Sequence, residues 1–100
     1  MPIVPPASPT RLALIGAGRI GSHHAAAIAH DVHAAHLAAV VDPRIDTATT
    51  LAERLGARAE ADASGVLADP DIDAIVVTTP AALHRDLIVE AAAAGKHVFA

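Results

Sequence analysis

Short apolar runs alternate with segments of helical period along nearly the whole chain, and this alternation leaves few folds open. Arg11–Ile15 (RLALI), Leu37–Val41 (LAAVV) and Ile72–Val77 (IDAIVV) read as strands, Ala57–Glu60 as a shorter one, and His97–Phe99 opens a fifth. Between them lie helical segments. Arg19 to about Ala29 is alanine-rich. Ile45, Ala48, Leu51, Ala52 and Leu55 recur at helical spacing, with Gly56 where a terminating glycine belongs. Asp46 is the expected cap of that helix, and Asp62 the expected cap of a short helix running through Leu67. Leu83, Leu87, Ile88 and Ala91 mark one face of a helix from about Ala82 to Ala94, which Gly95 ends.

Strands joined by helices through short connections imply an α/β fold, a doubly wound parallel sheet with right-handed crossovers. About five strands are expected, so the sheet is incomplete. Composition agrees. The chain is 53% hydrophobic, yet Phe99 is its only aromatic residue. A core of Ala, Val, Ile and Leu suits a parallel sheet covered on both faces. The net charge of −4 and the lack of a basic stripe argue against a nucleic-acid partner. The absence of cysteine excludes disulfides and thiolate metal sites. No apolar run has the length of a membrane span. The opening MPIVPPASPT carries four prolines and no basic n-region. Residues 1–10 are expected to be a disordered lead-in to one domain over 11–100, and the expected location is the cytoplasm.

The strongest chemical signal is the loop after the first strand. Gly16, Gly18 and Gly21 form G-x-G-x-x-G, between a strand and a helix. The first glycine permits the tight turn, the second lets backbone approach a pyrophosphate, and the third lets the helix pack close to the sheet. The helix start then offers free N–H groups and positive dipole to the phosphates, with the amides of Arg19 and Ile20 the expected donors. Asp42 ends the second strand, 21 residues after Gly21. A carboxylate there can accept hydrogen bonds from both adenine-ribose hydroxyls and would repel a 2′-phosphate, favouring NAD over NADP. Arg44 softens that preference if it pairs with a phosphate. The alternatives are a glycine-rich turn without ligand and an aspartate that merely ends a strand.

Seven histidines raise the question of a metal site. His30, His33 and His36 stand at three-residue steps, downstream of His23 and His24, but Asp31 and the strand at Leu37 leave little helix to align them. A solvated loop is the better reading. His24 reads as a packing residue on the first helix. His84 lies one turn into the helix after Thr78-Thr79-Pro80, at the strand-end edge where open α/β sheets bind ligands. It either contacts cofactor or lies on the helix surface.

The runs LIGAGRIGSHHA, AAVVDP, LAERLGA, LADPDIDAIVVTTPAALH and AAAAGKHVF, in this order, resemble the N-terminal half of the Gfo/Idh/MocA oxidoreductases. The resemblance covers about Leu12 to Ala100 and implies a Rossmann-type sheet. It implies that Gly16, Gly18 and Gly21 hold the dinucleotide, that Asp42 binds ribose, and that Thr79, Pro80 and His84 lie beside the nicotinamide half. In the family the AGKHV run leads into E-K-P, whose lysine is assigned to the reaction centre. Here that motif would begin one position after Ala100. Lys96 matches the lysine before the strand, so no residue of this chain is expected to be catalytic. The second domain, with the substrate pocket, is expected to be absent. The implied function is the NAD-binding portion of a dehydrogenase for secondary alcohols of sugars, polyols or inositol-like substrates, with the 100 residues alone inactive. The alternative is a non-catalytic dinucleotide-binding module, or a fragment that self-associates through the strand-five edge.

Overall fold

The computed structural model describes residues 10–16, 18, 35–79 and 81–99. In chain order the elements are β1 (Thr10–Ile15), β2 (Ala35–Val41), α1 (Ile45–Leu55), β3 (Arg58–Glu60), α2 (Ser64–Ala68), β4 (Ala74–Val77), α3 (Ala81–Ala93) and β5 (His97–Phe99). The expected helix from Arg19 to Ala29 lies outside the described residues, as does the lead-in over 1–9. Thr10, placed in that lead-in by the proline count, instead starts β1 and pairs with Ala35. Its backbone gains a ladder partner once β2 extends two residues further back than LAAVV suggests.

The five strands form one parallel sheet in the order β3-β2-β1-β4-β5. The chain therefore winds outward from β1 on one side and returns to its other side at β4. Each face buries aliphatic side chains. Leu14, Leu37 and Val40 pack against Ala48, Leu51 and Ala52 of α1. On the opposite face, Ala13, Ile15, Ala39, Val41, Ile75 and Val77 pack with Val66 of α2 and Ala91 of α3. Register shifts by one residue between Leu12/Leu37 and Ala13/Ala39, leaving Ala38 as the extra residue in β2. That insertion sends Leu37 and Val40 to the α1 face although they are three apart. A strict period of two could not do this.

Helix ends explain two further differences. The cap position of α1 is Arg44, whose carbonyl accepts from the amides of Thr47 at 2.9 Å and Ala48 at 3.2 Å. Asp46, expected as the cap, lies inside the first turn, where its charge complements the helix dipole instead. Gly56 ends α1 with φ +72°, as its position suggests. In α2 the cap position is Ala63. Asp62 acts from one residue earlier, its Oδ1 accepting from the Ser64 amide at 2.9 Å and from the Ser64 hydroxyl. β4 begins at Ala74 rather than Ile72. Ile72 is buried in the preceding turn, its amide bonded to the Asp69 carbonyl at 3.2 Å.

Lys96 stands at the amino-terminal edge of the sheet. Its Nζ donates to the carbonyls of Ile72, at 2.6 Å, and Asp69, pinning the approach to β4 beneath the start of β5. This is the strand lead-in role that the resemblance implied for it. β5 is an edge strand, and Phe99 on it is 58% exposed. Among the described residues, no helix is long and apolar enough to cross a membrane.

Candidate functional site

Three strands end side by side at the carboxyl edge, and the residues that follow them are drawn together. Gly16 leaves β1 with φ +104°, a conformation L side chains rarely adopt. Its amide donates to the Val41 carbonyl of β2 at 2.7 Å. On its other flank stands Thr78, which follows β4. The Thr78 amide bonds the Ile15 carbonyl at 2.9 Å. Its hydroxyl donates to the Gly16 carbonyl at 2.8 Å and lies 3.1 Å from that of Ile15. A Cβ added at Gly16 would lie 2.9 Å from Thr78 Oγ1 and 3.0 Å from the Thr78 carbonyl carbon. Glycine is thus required here by backbone angle and by space. At Gly18 an added Cβ meets nothing within 4 Å among the described residues.

Asp42 follows β2 and is 5% exposed, the only buried polar or charged residue among the described ones. Its amide donates to the Glu60 carbonyl of β3 at 3.1 Å, which locks it to the sheet. Its Oδ1 accepts from the Arg44 amide at 2.8 Å and lies 3.4 Å from Arg44 Nε. The Arg44 side chain is 70% exposed. Burying a carboxylate is costly without donors, and the turn through Pro43 brings two of them to it.

Between these strand ends lies a cleft of about 260 Å³. Ile15, Val41, Pro43, Ala63 and Leu87 supply apolar walls, with Asp62, Asp86 and Glu90 also among the lining residues. Thr79 lines it too, and its Oγ1 is buried without a hydrogen-bond partner among the described residues. A buried hydroxyl left unpaired costs about 1–3 kcal/mol.

The sheet therefore brings together Gly16, Gly18, Asp42, Arg44 and Thr79 at the point where strand order reverses about β1, the place where doubly wound sheets bind ligands. Arg19, Ile20, Gly21, Pro80 and His24 lie outside the described residues. His84 falls within the first turn of α3, and its side chain is likewise outside them. Of the clustered histidines, only His36 is described, exposed on β2. Sequence reasoning missed Thr78, which it treated only as part of a strand terminator. The available signal was a hydroxyl residue, rather than an aliphatic one, at the end of an otherwise apolar strand.

A family model described as "Oxidoreductase family, NAD-binding Rossmann fold" matches residues 10–100. The chain belongs to the Gfo/Idh/MocA oxidoreductase family. Similar proteins include the scyllo-inositol 2-dehydrogenase (NAD(+)) of Bacillus subtilis, 40% identical over 90 residues, which are 89% of this chain and 26% of that protein. Among solved structures, a myo-inositol dehydrogenase from Corynebacterium glutamicum is 44% identical with a TM-score of 0.84, over 90% of this chain and 27% of the other. A scyllo-inositol dehydrogenase from Lactobacillus casei with bound cofactor NAD(H) and scyllo-inositol is 29% identical with a TM-score of 0.85, over 91% of this chain and 27% of the other. This member of the Gfo/Idh/MocA family thus spans about a quarter of the length of the relatives it matches. The order β3-β2-β1-β4-β5 is that of the first five strands of a Rossmann sheet.

Proposed function

We propose that this chain forms the NAD-binding part of a dehydrogenase that oxidises a secondary alcohol of a cyclic polyol or sugar. The observation that carries this reading is the convergence of the Gly16 turn, the buried Asp42 carboxylate and Thr79 at the ends of β1, β2 and β4, where strand order reverses beside an apolar cleft. The named activities of the inositol dehydrogenase relatives supply the substrate class.

The residues fit a dinucleotide. The space beside Gly18, open among the described residues, accommodates a pyrophosphate close to the backbone, with the amides of Arg19 and Ile20 and the packing glycine Gly21 completing that loop. Asp42 accepts hydrogen bonds from the adenine-ribose hydroxyls. Its negative charge disfavours a 2′-phosphate, and Arg44, already turned toward Asp42, lessens but does not reverse that preference. Thr79 offers its hydroxyl to the nicotinamide side, where Pro80 and His84 accompany it. The cofactor, when bound, supplies the hydride-accepting ring. The chain's own residues bind it, orient it and shield it from water, and none of them is assigned proton transfer.

Calorimetric titration with NAD and NADP tests the reading. NAD is expected to bind more tightly than NADP. A folded protein, judged by circular dichroism, that gives no binding heat with NAD would refute it.

A further inference from the structure

We propose that Thr78 is a positioning residue for the dinucleotide, a hydroxyl latch that fixes the glycine turn to the loop after β4. The inference rests on the dinucleotide reading above and adds a residue that the glycine motif does not contain.

The geometry is specific. Gly16 is held from both sides. Its N–H is bonded to Val41 of β2 at 2.7 Å, and its carbonyl is bonded by the Thr78 hydroxyl at 2.8 Å. The same hydroxyl is 3.1 Å from the Ile15 carbonyl, so its single proton is shared between two consecutive acceptors, 62 and 63 residues away in sequence. The strand ladder has already bonded the Thr78 amide to Ile15. The hydroxyl is therefore not needed to pair β1 with β4. What it adds is a hold on the carbonyl of Gly16, one residue beyond the end of the strand. At φ +104° that residue has no side chain of its own to set the direction of the loop. The fit is reciprocal. The Cβ that glycine lacks would stand 2.9 Å from Thr78 Oγ1, so the hydroxyl occupies the place a side chain at residue 16 would take.

Thr78 also adjoins Thr79, which lines the cleft and whose buried hydroxyl has no partner among the described residues. The latch thereby connects the two halves of the site. The turn that approaches the pyrophosphate and the loop that flanks the nicotinamide are held to one another through one oxygen. A dinucleotide spanning both halves profits from that fixed separation. A mononucleotide occupying only the adenosine side does not.

The test compares NAD with AMP by calorimetry on T78V, T78A and T78S, with thermal melting as a separate measure of folding. T78V keeps the shape and deletes the hydroxyl; T78A deletes it without any risk of crowding; T78S retains it. Both hydroxyl-free variants are expected to raise the Kd for NAD about fivefold, the worth of one neutral hydrogen bond, while AMP changes by less than about twofold. T78S is expected to bind both nucleotides within about twofold of wild type. Wild-type affinity for NAD in T78V and T78A overturns the latch, as does an equal loss for NAD and AMP or a T78S variant as impaired as T78V. Failure of the wild-type protein to bind either nucleotide instead overturns the dinucleotide reading on which the latch depends.

Discussion

Alanine at Gly16 is expected to act on stability and alanine at Gly18 on binding, although both remove a glycine from one motif. At Gly16 the perturbation is internal. An alanine held near φ +104° carries strain of about 1–3 kcal/mol. Its methyl meets Thr78 Oγ1 at 2.9 Å and the Thr78 carbonyl carbon and oxygen at 3.0 Å. Those backbone atoms follow directly on the β1–β4 ladder and cannot retreat freely, so the crowding adds about 1–3 kcal/mol. Even the lower combined figure, about 2 kcal/mol, lowers the melting temperature by about 8–16 °C for a domain of this size. At Gly18 the methyl meets nothing within 4 Å among the described residues, so stability should stay within about 0.5 kcal/mol of wild type. That methyl nonetheless fills the space a pyrophosphate would need, and NAD should bind at least about tenfold more weakly, about 1.4 kcal/mol. Thermal melts without nucleotide, followed by NAD calorimetry on whatever remains folded, separate the two. If G18A melts as early as G16A, or binds NAD like wild type, the division of labour between the two glycines is wrong.

Asp42→Ala should weaken NAD about tenfold while weakening NADP less, because the lost acceptor serves the ribose hydroxyls but opposes a 2′-phosphate; equal losses would remove the basis for the cofactor preference. Two carboxyl groups sit below their ordinary range, Asp69 through its bond to Arg58 and then the Asp71 amide, and Asp62 through the Ser64 hydroxyl and then its amide. Because their folded values lie below the unfolded ones, their contribution is present above about pH 4 and is lost as pH falls through the folded values. Melting temperature should therefore be flat in this respect from pH 7 to 5 and fall in acid, and Asp69→Asn should shallow that fall; an unchanged acid limb would count against it. Lys96→Met removes the donor to two carbonyls and should cost about 1–3 kcal/mol of stability with NAD affinity unaltered, since it acts at the opposite edge of the sheet. A Lys96→Met variant that melts normally but binds NAD poorly would contradict that placement.

Local signals carried most of the architecture. IDAIVV, the helical spacing of Ala48, Leu51 and Ala52, and the glycines at 56 and 95 are properties of a few neighbouring residues, and the structure follows them closely. The clustering of Gly16, Asp42 and Thr79 was legible for a different reason. A parallel sheet puts every strand's carboxyl end on one edge, so strand-ending residues meet whatever their separation in sequence. The misplacements occurred where a neighbour outside the local window decides. Ala38 is extra in β2 only because Leu12 and Ala13 set the register opposite it. Asp46 lost the cap position because Asp42 reached forward to the Arg44 amide and drew the chain into the helix two residues earlier. The Thr78 hydroxyl binds residues more than 60 positions away, and no periodicity announces such a contact.

That long reach has a consequence for synthesis. β1 is made before β4, one of its two flanking strands, and the bond from Thr78 to Ile15 spans 63 residues. At about 5–20 residues per second, a ribosome needs several seconds to produce that partner. During this interval the apolar β1 run and the glycine turn exist without the strand that completes them. The glycine turn is thus made well before the strand that completes its side of the site. Cofactor can stabilise the finished sheet, but it has nothing to nucleate on the growing chain.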